Sequence, residues 1–278
     1  MQTDSQSSGQ IYWIWPLRFS GRVRRRVDAS VCWLDHLIAT PVRLLACAIL
    51  LGSLPALVSV LSGHSLDRPL TTLAMTPLLL AAARRDCMPR GLALLGLVFV
   101  AHSATMIGLT ALTPDRVASV FPPGQAYWIE SRDWILSGVS PEYETSYWLP
   151  AHVMQFVGGA FFTFTSLGGV LIWEGLYQVD LMNVYVGNLV LNSDNPLLAL
   201  GLGWHPWSVL RGVGFLFVGF EACSYSLERF LGTPFSTRRR RLIRWGFGTG
   251  FLALDGAVKF CCLGIIRDTL HSNLLIDT

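Results

Sequence analysis

Residues 245–266 read WGFGTGFLALDGAVKFCCLGII, and within them only Asp255 and Lys259 carry charge. As a helix this stretch would rise about 33 Å, enough to cross a hydrocarbon core of about 30 Å. It reads as a membrane span, and the chain as an all-α integral membrane protein. Lys259 is the only lysine in the sequence, and it falls one helical turn after Asp255. Opposite charges at that spacing share a helix face. Ionisable groups at membrane depth are costly, so they mark an ion path, a counter-ion or a packed polar joint. The spacing predicts a mutually neutralising pair, with an ion path as its functional reading.

Composition agrees with a membrane setting. Hydrophobic residues make up 52% of the chain and charged residues 14%, against about 25% charged in soluble domains. Working outward from the last stretch gives seven candidate spans, at 44–62, 70–83, 91–113, 150–173, 183–202, 207–225 and 245–266. Residues 1–43 form a basic and aromatic interfacial segment, 44–266 the transmembrane bundle with an extracytoplasmic loop at 114–149, and 267–278 a short polar tail. The second span is short and holds Pro77. The fifth is broken by Asn183, Asn188 and Asn192, then by Ser193-Asp194-Asn195-Pro196.

The arginines test the count. Arg18, Arg22, Arg24, Arg25, Arg26 and Arg43 precede the first span; Arg84, Arg85 and Arg90 follow the second; Arg238–Arg241 and Arg244 precede the last. Basic excess in short loops marks the cytoplasmic side. Seven spans with the N-terminus inside put all three groups on that side, whereas six put the last group outside. A cell membrane, specifically a bacterial inner membrane, is the expected location. IYWIWPLRF at 11–19 suits the headgroup region of an anionic leaflet. No apolar run follows before residue 44, so a cleaved signal is not expected. VRRRV at 23–27 is too short, and too close to a span, to suggest nucleic-acid binding.

Chemistry is sparse. The six cysteines avoid the 114–149 loop and show no zinc-ligand spacing, so no metal site is expected. No nucleophile–base order, phosphate loop or paired-carboxylate motif is present, so an enzyme is not the favoured class and no cofactor is assigned. The outer loop is aromatic, with Phe121, Tyr127, Trp128, Trp134, Tyr143, Tyr147 and Trp148. It predicts an interfacial helix over 126–137 with its rings at headgroup level, or a docking surface for a partner. Small residues at Gly158-Gly159-Ala160, Gly168-Gly169 and Gly246/Gly250 predict close helix packing.

Besides Asp255 and Lys259, four residues are candidate buried polar or ion-path positions. Glu221 is expected near the cytoplasmic side, against the Arg238–Arg241 cluster or Arg229. His102 is alone in its span and reads as a packing histidine. Asn188 and Asn192 should lie against other helices if the fifth span crosses, because lipid offers an amide no partner.

LDGAVK at 254–259 resembles the last helix of microbial rhodopsins, and Arg68 followed by TPLLL at 76–80 is similar to that family's third helix. The resemblance implies retinal on Lys259, with Asp255 in the counter-ion. The chain departs from the family elsewhere: Arg68 and TPLLL lie in and beside the second span, and Thr71 stands where an acidic counter-ion is usual. The intervening chain is too long, and the sixth span has no aromatic pattern around a proline. A retinal protein is therefore the remote alternative. The favoured reading is a non-catalytic membrane component, a subunit, anchor or assembly factor. Its partners would be the bilayer and other proteins met through residues 121–148 and the small-residue faces. The main alternative is a transporter of a small solute, ion or proton using the broken fifth span with Asp255 and Lys259.

Overall fold

A computed structural model describes residues 36–139 and 145–275, together with Ala29 and Leu34. Among these it holds ten α-helices and no strand. After a 3₁₀ turn at His36–Ile38 come α1 (Pro41–Ser62), α2 (Asp67–Arg84), α3 (Met88–Leu112), α4 (Pro114–Val120) and α5 (Pro122–Ser137). Then follow α6 (Thr145–Thr165), α7 (Gly169–Leu191), α8 (Pro196–Gly203), α9 (Pro206–Leu231) and α10 (Arg238–His271). Proline opens six of them, where its missing N–H removes no helical bond. Thr40 and Thr237 cap α1 and α10, accepting from the amides of Arg43 and Arg240. The basic and aromatic stretch 11–26 lies outside the described residues, as do Tyr143 and the side chains of Tyr147 and Trp148.

Three helices, α1, α3 and α10, are long and apolar enough to cross a membrane. Their outward faces carry large exposed apolar side chains, among them Leu50, Leu61, Val100, Phe247 and Phe260. That is the distribution a hydrocarbon solvent favours.

The middle of the chain divides differently from its hydropathy. The fourth apolar stretch, expected at 150–173, breaks after Thr165. Leu167 and Gly168 both take left-handed backbone, at φ 54° and 92°. A side chain on Gly168 would also meet Cys223 Sγ at 2.8 Å. Gly168-Gly169 is thus a turn as well as a packing point. The helix that follows, α7, carries Glu174, Asp180, Asn183 and Asn188, and its polar residues hid it from an apolar-run reading. The expected fifth stretch, 183–202, contains the end of α7, a turn at Asn192–Asn195 and the short α8. Asn188 is buried and donates to the Val184 carbonyl at 2.8 Å, while Asn192 caps the helix, exposed, donating to the Asn188 carbonyl at 2.8 Å. The expectation that both lie against other helices fails for Asn192.

The 114–149 stretch is largely helical and packs inward. Val117, Phe121, Trp128, Trp134 and Ile135 are buried against α7 and α10, which corrects the picture of rings floating at headgroup level. Trp128 and Tyr127 pack on the fully buried Tyr185. Arg267 of α10 donates to the carbonyls of Ile135 and Leu136, at 2.9 and 3.2 Å. That contact satisfies the C-terminus of α5 and pins it to the bundle.

The opposite end is held by charge. Asp86, in the α2–α3 turn, pairs with Arg240 at 2.9 Å and Arg244 at 2.7 Å. Arg84 lies over the Phe235 ring. Arg43 opens α1, which runs parallel to α3, so the described arginine groups all gather at one end, as their spacing predicts.

α1 and α3 touch through Gly52. A Cβ there would stand 2.5 Å from the Val98 carbonyl oxygen and 2.8 Å from the His102 amide nitrogen. Backbone cannot yield as a side-chain tip can, so Gly52→Ala should lower stability by about 1–3 kcal/mol. Gly246→Ala, which meets nothing within 4 Å, should be neutral or slightly stabilising. Thermal unfolding in mild detergent compares the two; equal effects would contradict this contact.

Candidate functional site

Four helices converge on one polar cluster. α1 supplies the Gly52 carbonyl and Ser59, the first turn of α2 supplies Asp67, α3 supplies His102, and α7 supplies Asp180. All three ionisable side chains are buried, with Asp67 5%, His102 0% and Asp180 1% exposed. One ligand-type atom from each lies within 4.8 Å of the others. His102 Nε2 is 2.6 Å from Asp180 Oδ1, and its Nδ1 is 3.2 Å from the Gly52 carbonyl oxygen. A carbonyl only accepts, so Nδ1 carries hydrogen and Nε2 is the nitrogen turned to the carboxylates. The close approach at Gly52 is what brings that carbonyl within reach.

Ser59 anchors the other carboxylate. Its hydroxyl accepts from the amides of Leu66 and Asp67, at 2.8 and 3.3 Å, fixing the start of α2. It lies 2.6 Å from the His64 carbonyl oxygen and 3.0 Å from Asp67 Oδ1. Both are acceptors for the single hydroxyl proton of Ser59. Two carboxylates beside a neutral imidazole would together carry a charge of −2.

A cavity of about 10 Å³ opens between Asp67 and Asp180, walled by Ser59, Met106, Val117 and Phe121. That is the space of roughly one water-sized sphere. One turn further along α7 sits Asn183, 0% exposed, with no hydrogen-bond partner for either amide atom among the described residues. Phe121 also faces outward, toward Arg68. The Arg68 guanidinium lies 5.3 Å from the Phe121 ring, 5.5 Å from Trp173 and 5.2 Å from Tyr177, so a cation stacked on aromatics covers the outer side.

The other candidates lie elsewhere. The i, i+4 spacing predicts Asp255 paired with Lys259. In the structure Asp255 accepts a bidentate bond from Arg211 of α9, at 2.8 and 3.2 Å, and this cross-helix partner is not legible from the spacing within α10. Lys259 is buried on the same helix face, 3% exposed. Glu221 meets Arg244 at 3.0 Å and Arg241 at 3.7 Å, at the arginine-rich end. Arg241 also pairs with Glu228, which accepts from the amides of Phe235 and Ser236. These contacts staple the α9–α10 turn and are structural.

Of the six residues singled out from sequence, only His102 belongs to the cluster. Asp180 and Asp67 are missed because they sit 78 and 35 positions from His102, beyond any local pattern. The available signal was an aspartate inside LIWEGLYQVDLMNVYVGNLVL, a run otherwise fit for burial. No protein-family model, no curated protein and no solved structure matches this chain.

The Arg211–Asp255 geometry makes a measurable claim. A charge-assisted pair of this kind contributes about 1.5–3 kcal/mol. A double-mutant cycle with Arg211→Leu and Asp255→Leu, read by unfolding in detergent, should show coupling of that order. Strictly additive losses would mean that the two side chains do not interact.

Proposed function

We propose that this chain is a multi-pass membrane protein that carries a small cation through the Asp67–His102–Asp180 cluster. In this reading α1, α2, α3, α6, α7, α9 and α10 all cross, and the arginine-rich end is cytoplasmic. The four helices other than α1, α3 and α10 are 18 to 26 residues long. Asp67, Asp180 and Glu221 on them are buried away from the surroundings, so lipid would not meet those charges. Glu174 and Arg211 lie toward helix ends, where water and headgroups are close.

The observation that carries the reading is the burial of the cluster. Three ionisable side chains in an apolar bundle weaken the fold relative to a well-packed apolar core, and at membrane depth such groups mark ion or proton sites. Irregular backbone at membrane depth is tolerated where it lines a cavity or is buried in protein. Here α4 and Phe121 after it cover the cluster from one side. A second reading, a component that assembles with other chains, is favoured by the outer face of α10. There Ile243, Gly246, Phe247, Gly250, Phe251 and Leu254 line an apolar groove of about 360 Å³.

Two measurements test the proposal. In a variant with its native cysteines replaced, Glu130→Cys should react with an impermeant maleimide on intact cells, and Arg239→Cys should not. Labelling of both, or the reverse order, overturns the topology. The purified protein in liposomes should pass at least one of H⁺, Na⁺, K⁺, Mg²⁺, Mn²⁺ or Zn²⁺, followed by entrapped dyes, and Asp180→Asn should reduce that flux to the protein-free level. Absence of flux for all six would remove the carrier reading and leave the assembly reading.

A further inference from the structure

We propose that the cation held by Asp67, His102 and Asp180 is a divalent transition-metal ion, which rests on the reading of this cluster as a cation site. The ligand set is the first argument. One imidazole nitrogen and two carboxylates suit Zn²⁺, Mn²⁺, Fe²⁺ or Co²⁺. Ca²⁺ takes six to eight oxygens and Mg²⁺ keeps most of its water, and neither calls for an imidazole. Among the described residues no cysteine lines the site.

The second argument is orientation. A metal-bound histidine nearly always donates its other ring N–H to a carbonyl or carboxylate, which fixes the tautomer and aims the ring. His102 already does this, with Nδ1–H on the Gly52 carbonyl and Nε2 turned to Asp180. Ser59 holds Asp67 at the first turn of α2 in the same way. The ligands are fixed by contacts that would survive the exchange of a proton for a metal ion.

The third argument is charge. Two carboxylates and a neutral imidazole sum to −2, which one M²⁺ balances. Binding M²⁺ would form bonds from Nε2 and from one oxygen of each aspartate, with any proton these atoms carry leaving to solvent.

The test is calorimetric titration of the full-length, tag-free protein in detergent with Zn²⁺ and with Mn²⁺. One ion per chain is expected, with metal raising the thermal midpoint. Asp67→Asn and Asp180→Asn should each weaken binding by more than about 10-fold, the least effect seen when even a supporting contact of a metal site is lost. His64→Ala, at an exposed histidine, should leave binding unchanged. Should a variant not fold, wild-type stoichiometry and the metal-induced rise in thermal midpoint still decide. No ion bound, an ion bound with no rise in the thermal midpoint, or binding untouched in both aspartate variants overturns the inference. Metal binding without flux in liposomes removes the carrier reading and keeps the site. Asp180-dependent Na⁺ or K⁺ flux without metal binding does the opposite.

Discussion

One bridge organises this bundle: the His102 ring, held between the Gly52 carbonyl on one side and Asp180 on the other. It links α1, α3 and α7 in their common interior, and Ser59 with Asp67 brings in the start of α2. Each part depends on another. The carbonyl is reachable only because residue 52 has no side chain to hold α1 and α3 apart. The ring has one usable tautomer because that carbonyl can only accept. Asp180 is tolerable in an apolar helix because it meets a proton donor or a cation. Removing any member leaves a buried polar group unpaired, and that penalty is larger than the gain from making such a bond.

The polar residues of this protein divide into two uses. At the arginine-rich end, Asp86, Glu221 and Glu228 meet Arg240, Arg241 and Arg244 across the turns that join α2 to α3 and α9 to α10. These pairs sit near helix ends and are saturated with arginine, so they register the turns. The inner cluster has the reverse composition, with two acids, one histidine and, among the described residues, no arginine ion-paired to it. Arg68, next in sequence to Asp67, turns instead to three aromatic rings. A structural salt bridge would have used that arginine. Its diversion leaves the carboxylates to be balanced by protons or by an ion.

How much was legible in the sequence follows from these placements. α1, α3 and α10 are uninterrupted apolar runs, so hydropathy finds them within a few residues. The gathering of Arg43, Arg84, Arg85, Arg90 and Arg238–Arg241 at one end was also legible, because loop charge is a local property. α7 was not, since Glu174, Asp180, Asn183 and Asn188 dilute its hydropathy while their burial depends on helices far away in sequence. The aromatics of α5 were seen, but their inward direction depends on Tyr185, against Tyr127 and Trp128, and on His205, which meets Trp134 edge-on, and no local pattern announces either. Asp255 shows what a local rule leaves out: besides the Lys259 to which the i, i+4 spacing points, it takes a bidentate bond from Arg211 on another helix. His102 alone carried no signal of its site, because a metal or proton site is a meeting of strands of sequence that only the packed bundle brings together.

The central claim is that Asp67, His102 and Asp180 hold a cation in common. X-ray absorption at the zinc edge of the Zn²⁺-loaded protein addresses it most directly, because the scattering shell reports ligand type. The account predicts nitrogen and oxygen neighbours at about 2.0–2.2 Å with the signature of a single imidazole and no sulfur. A sulfur shell near 2.3 Å, which would point to Cys261, Cys262 or another thiol, or a signature of two or more imidazoles, would place the metal elsewhere and contradict it.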